Sequence, residues 1–128
     1  MRGLRLVLGL FAVTAALTTA SACSHADESA GDVSPSNAVF IKIANNNFLD
    51  MNVYSVIQGV QTRLGMVTGN GTGSFVIDRS LGGSDVRIIA TPIGGSGRAT
   101  TGSLAVSPGQ TIDFRIGPTL ANSTVFVR

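Results

Sequence analysis

Beyond residue 37, apolar and polar residues alternate with a period of two through much of the chain. In "TIDFRI" (111–116), Ile112, Phe114 and Ile116 alternate with Asp113 and Arg115. In "AVFIKIA" (38–44), Val39, Ile41 and Ile43 share one face, and Phe40 and Lys42 share the other. Successive side chains of an extended strand point to opposite sides of a sheet, so each segment predicts a strand half-buried against a core. The same reading predicts strands over "MNVYSVI" (51–57), "QTRLGMV" (61–67) and "GSFVID" (73–78). It continues over "DVRIIATPI" (85–93), with Val86, Ile88 and Ala90 inward, then "TTGSLAV" (100–106) and "STVFVR" (123–128).

Turn-forming stretches separate these segments: "NNNFLD", "TGNGTG", "RSLGGS", "GGSGRA" and "SPGQ". Within "TGNGTG", Asn70 and Gly71 both tolerate positive φ and predict a hairpin between strands 61–67 and 73–78. Seven or eight short strands, with turns about every eight to twelve residues, predict an all-β fold: a single antiparallel β-sandwich, with an open barrel as the alternative. The composition agrees, with 16 glycines, many Val and Ile, and no Trp.

The first thirty residues follow another pattern. Arg2 and Arg5 precede an uncharged run from residue 6 to 22 that is leucine-rich at first and ends in small residues. That taper is the mark of a signal peptide rather than of a permanent membrane span. Two processing readings fit it. Ala20-Ser21-Ala22 forms an Ala-x-Ala site, with cleavage between Ala22 and Cys23 releasing a soluble chain. Alternatively, "TASAC" (19–23) resembles the lipobox of bacterial lipoprotein precursors, which implies lipid on the Cys23 sulfur and cleavage just before it. Ala20 stands where Leu is most usual in that motif. Cys23 is the only cysteine of the chain, so it has no disulfide partner within it, which favours the lipoprotein reading. "SHADESAGDVSPSN" (24–37) is polar, without apolar periodicity, and predicts a flexible spacer between anchor and domain. The expected organisation is therefore a signal peptide over 1–22, attachment cysteine and linker over 23–37, and the sandwich over 38–128.

The order of features in the sandwich resembles small immunoglobulin-like or transthyretin-like domains of exported bacterial proteins. It is similar to a bacterial sandwich family in which "IANNNFLDMNVYSV" (43–56) forms a first hairpin and a "G…LG" element, here Gly59 and Leu64-Gly65, precedes the next strands. That resemblance implies a fold and no activity.

Charge changes the picture little. Of nine basic residues, Arg2 and Arg5 belong to the leader, which leaves seven against seven acidic residues. From residue 38 onward there are seven basic and four acidic residues, scattered and not interleaved with aromatics, so nucleic-acid binding is not indicated.

Catalytic chemistry is scarce. His25, the only histidine, lies in the spacer, where it cannot be held within reach of a substrate. One His and one Cys near a terminus cannot build a closed zinc site, and no cofactor or metal is indicated. Among the domain carboxylates Asp50, Asp78, Asp85 and Asp113, Asp78 and Asp85 flank one loop and could lie near each other, but turn formation is the stronger reading than the facing pair a hydrolase needs. "NNNFLDMN" places Asn45, Asn47 and Asp50 close together; such oxygen-rich loops can hold calcium, but a single carboxylate makes turn formation the stronger reading. "GGSGRATTG" (94–102) looks like a phosphate-cradling loop, yet it lacks the Lys-Ser/Thr ending and leads into a strand. Because recognition concentrates on loops carried by rigid scaffolds, the candidate contact loops are those of Asn70 and Gly71 and of Gly94, Gly95 and Arg98.

These features together suggest a non-enzymatic envelope protein held to the membrane, the outer one if there are two, by lipid on Cys23. Its sandwich would meet another envelope protein or a glycan. The alternative is a periplasmic or secreted carrier or accessory protein binding a small apolar ligand or a partner protein.

Overall fold

The computed structural model describes residues 35–78 and 85–128. The leader, Ala22, Cys23, His25 and the spacer up to residue 34 lie outside the described residues. Eight strands are present: β1 (Ala38–Asn45), β2 (Met51–Ile57), β3 (Val60–Val67), β4 (Thr72–Asp78), β5 (Val86–Pro92), β6 (Ala99–Thr100), β7 (Thr111–Ile116) and β8 (Thr124–Val127). They form two four-stranded sheets, β4-β1-β7-β8 and β3-β2-β5-β6. All strand pairs are antiparallel except β1 with β7, which run parallel. The all-β sandwich expected from alternation is thus present, with one parallel pair at the centre of its first sheet. No helix among the described residues is long and apolar enough to cross a membrane.

Alternation fixes which faces meet. Val39, Ile41 and Ile43 of β1 and Ile112, Phe114 and Ile116 of β7 point inward from the first sheet. Met51 and Val53 of β2 with Val86, Ile88 and Ala90 of β5 point inward from the second. These side chains form one buried cluster. Burying a side chain such as Ile41 or Phe114 contributes about 1.5–3 kcal/mol relative to leaving it exposed.

Three connections differ from the sequence expectation. The first hairpin expected over 43–56 does not form, because β1 and β2 belong to different sheets and the 46–50 loop carries the chain between layers. Asn70-Gly71 does not close a hairpin: β3 belongs to one sheet and β4 to the other, so this turn carries the chain between layers. Gly71 N–H donates to Thr68 O at 3.1 Å, and Asn70 alone takes positive φ, at 53°. A turn signal reports a local reversal; it cannot specify that the strands it joins pair with each other. The tight hairpin lies instead at Gln58 (φ 52°) and Gly59 (φ 80°), between the paired ends Ile57 and Val60. Two successive positive φ values match the twist of antiparallel strands, which is why a two-residue loop suffices there. Leu64-Gly65 forms a bulge: Val53 pairs Gly65 and Tyr54 pairs Arg63, leaving Leu64 over. The "G…LG" element is thus a hairpin followed by a bulge.

The strand expected over 100–106 shrinks to Ala99–Thr100 with one bridge between Val86 and Leu104. Thr101 Oγ1 accepts the Ile88 N–H at 3.0 Å, where a backbone carbonyl would have continued the ladder. Gly102 then takes φ 72° and turns the chain away from extended geometry.

Candidate functional site

The C-terminal ends of β1, β3, β5 and β7 deliver four connecting segments to one end of the sandwich: residues 46–50, 68–71, 93–98 and 117–123. The opposite end carries the start of β1, the Gln58-Gly59 hairpin and the 107–110 turn. The candidate loops of Asn70 and Gly71 and of Gly94, Gly95 and Arg98 therefore share one end, and both pack against the 46–50 loop. A Cβ added at Gly69 would lie 2.2 Å from Phe48 O, and one at Gly95 would lie 2.9 Å from Leu49 Cδ1. Gly69 is accordingly the residue that lets two backbones lie together.

Asn45, Asn47 and Asp50 hold this end in place. Asn45 is 1% exposed. Its Nδ2 donates to Leu49 O at 2.8 Å and Thr68 O at 3.0 Å, while its Oδ1 accepts the Asn47 N–H at 3.1 Å. Asn47 Nδ2 donates to Pro118 O at 2.8 Å, and Asn47 Oδ1 accepts the Leu49 N–H at 2.9 Å. Asp50 Oδ1 accepts the Gly69 N–H at 2.8 Å. Backbone bonds complete the set, from Asn70 N–H to Asn47 O at 2.9 Å and from Ile93 N–H to Asp50 O at 2.8 Å. The oxygens considered for calcium thus accept backbone N–H groups, in the side-chain-to-backbone turns that Asn and Asp favour. Among the described residues, no three His, Cys, Asp or Glu groups converge as a metal site would require.

The pinned end exposes apolar surface. Phe48 is 77% exposed, Ile93 is 43% exposed, and Arg98 and Asn46 are exposed beside them in the chain's loops. Leu49 and Leu120 are half-buried and pack against the core. A large aromatic raised on a loop fixed by hydrogen bonds needs little ordering when it meets a partner. Chemically, this end can bind by apolar contact, with Arg98 as a cation.

No family model matches the chain, and no curated protein matches it. Among solved structures it is similar to a protein from Eubacterium rectale determined by NMR. That pair is 14% identical over 76% of this chain and 94% of that one, with a TM-score of 0.49. It is also similar to a Bacteroides ovatus ATCC 8483 protein named, provisionally, as a cell adhesion protein. There the identity is 13% over 72% of this chain and 43% of that one, with a TM-score of 0.35. No activity is taken from either.

Phe48 escaped the sequence reading because "NNNFLD" reads as a polar turn. The available signal was a lone aromatic in a segment with no period that could bury it. As their alternation predicts, Lys42, Asp113 and Arg115 stand on the outer face of the first sheet, where they line a shallow depression with Ser74. Arg128 pairs with Asp113 across β7 and β8 at the surface, a contact worth about 0–1 kcal/mol.

Proposed function

We propose that this chain is a non-enzymatic bacterial envelope protein, anchored by lipid on Cys23, that presents its sandwich for binding through the loop end around Phe48. The observation that carries this reading is polarity along the strands. The chain enters the sandwich at Ala38, and β1 runs from there to Asn45, where the pinned loops begin. A tether attached upstream of Ala38 would leave from the end opposite Phe48, which would then face away from the membrane. The only cysteine and the only histidine of the chain precede the sandwich, which supports binding rather than catalysis. The tightly buried side chains between the sheets support contact at the surface rather than storage of an apolar ligand within.

The anchoring part is tested by the mass of the mature N-terminus after expression in a bacterium. A diacylglyceryl increment on Cys23, with the Cys23→Ser chain lost from the membrane fraction, is the expected result. An unmodified Cys23 in a soluble chain would leave secretion as the reading. The contact surface is tested by Phe48→Ser and Arg98→Ala. Each should lower binding to intact envelopes about tenfold while leaving the unfolding midpoint unchanged.

A further inference from the structure

We infer that the open edge of β8 pairs with β8 of a second copy, forming an antiparallel dimer centred on Phe126. Arg128 and Thr111 exchange both backbone bonds, Thr111 N–H to Arg128 O at 2.7 Å and Arg128 N–H to Thr111 O at 3.0 Å. In an antiparallel ladder the bonded direction alternates, so Phe126 and Thr124 also turn their backbone groups to β7, toward Asp113 and Arg115. The N–H and C=O groups of Val125 and Val127 therefore point away from the sheet, as the free edge.

Apart from its shortness, that edge lacks the features that usually protect one. The strand Thr124–Val127 reads TVFV, with no proline, no charge and no irregularity. Of the other edges, β3 carries Arg63 and the bulge, β6 is two residues long, and β4 carries Gly73 and ends in Asp78. Phe126 is 60% exposed and Val127 37% exposed.

Bonding the outward groups of Val125 and Val127 to each other fixes the register. Two-fold antiparallel pairing then sets Val125 opposite Val127 of the second copy, and Val127 opposite its Val125, with four hydrogen bonds. Phe126 then faces Phe126 on the axis, in a non-bonded pair with Cα atoms about 4.5 Å apart, the closest approach a ladder offers. Thr124 lies opposite Arg128, whose guanidinium is already paired to Asp113 of its own chain, so no like charges meet directly. The result is one continuous eight-stranded sheet. Pairing is antiparallel, so the Ala38 ends of the two copies point in opposite directions. If the chains are anchored as proposed above, this arrangement suits copies on facing surfaces. The dimer itself does not depend on that reading.

A four-residue edge is small beside the roughly 800 Å² per partner of a stable interface, so the dimer is weak, with Kd on the order of 0.1–1 mM. The test uses the chain carrying Cys23→Ser, which has no other thiol. Sedimentation equilibrium up to about 1 mM should show a monomer–dimer equilibrium. With Phe126→Cys, mild oxidation should cross-link two copies more than about tenfold faster than with Thr124→Cys. Two Thr124 positions would be about 14 Å apart along the joined strands, beyond the roughly 7 Å limit for a disulfide. Val127→Pro, which removes an outward N–H and leaves the β7 bonds intact, should weaken the dimer about tenfold. A chain that stays monomeric at 1 mM, or cross-linking at 126 no faster than at 124, overturns the proposal. If Val127→Pro lowers stability, the ratio of cross-linking at 126 to that at 124 decides alone.

Discussion

The two ends of the sandwich are closed by different means. Among the described residues, the Ala38 end holds a two-residue hairpin and backbone bonds, Gly109 N–H to Ala38 O at 2.7 Å and Phe40 N–H to Gln110 O at 3.0 Å, with Ser107 N–H to Gln110 Oε1 beside them. At the Phe48 end, side chains take over, through six hydrogen bonds from Asn45, Asn47 and Asp50. The reason lies in backbone accounting. Four irregular segments converge there without a ladder, so the carbonyls of Leu49 and Pro118 take side-chain donors, and that of Thr68 takes one beside the Gly71 N–H. Side-chain amides supply them, and the same bonds stiffen the loop that raises Phe48.

Substitutions can break or sharpen this contrast. Asn45→Ala should have the largest effect, about 3 kcal/mol in urea-unfolding free energy, because it removes the partner of the Leu49 carbonyl and of the Asn47 N–H and the second bond to Thr68 O around a buried side chain. Asn47→Ala should cost about 2 kcal/mol and speed hydrogen exchange at the Asn70 amide, which bonds Asn47 O. At the other end, Gly59→Ala places a Cβ in open space but at φ 80°, and should cost about 1 kcal/mol without altering exchange at Asn70. Phe48→Ser should change stability by less than about 0.5 kcal/mol. Should Asn45→Ala prove no more costly than Gly59→Ala, the two ends would not differ as described.

Legibility followed the range of the interaction. The inward rows of β1, β5 and β7 were readable because burial of alternate side chains is a local pattern, and Ile41, Ile88 and Phe114 sit where it placed them. The segments 51–57 and 73–78 were likewise found nearly to the residue. Asn70-Gly71 misled because its local chemistry is that of a reversal wherever the following strand goes. The strand after Ala99 was overestimated because the hydroxyl of Thr101 replaced a backbone partner, a substitution only proximity to Ile88 makes possible. For the candidate site, sequence supplied the Asn-rich loop and both glycine-rich loops but not their meeting. Phe48, the most exposed of its large apolar residues, carried no periodic signal.

By itself, the sequence determined the all-β class, the inward faces and most strand positions. Each depends on neighbours within a few residues, where side-chain direction and turn preference act without the rest of the chain. Tertiary structure alone decided that β1 lies beside and parallel to β7, that β3 and β4 part into different layers, and that Asn45 bonds Thr68 O. It also decided that, among the described residues, β8 has an open edge. These outcomes are set by which buried faces close together into one core, and that is a property of the whole chain rather than of any stretch of it.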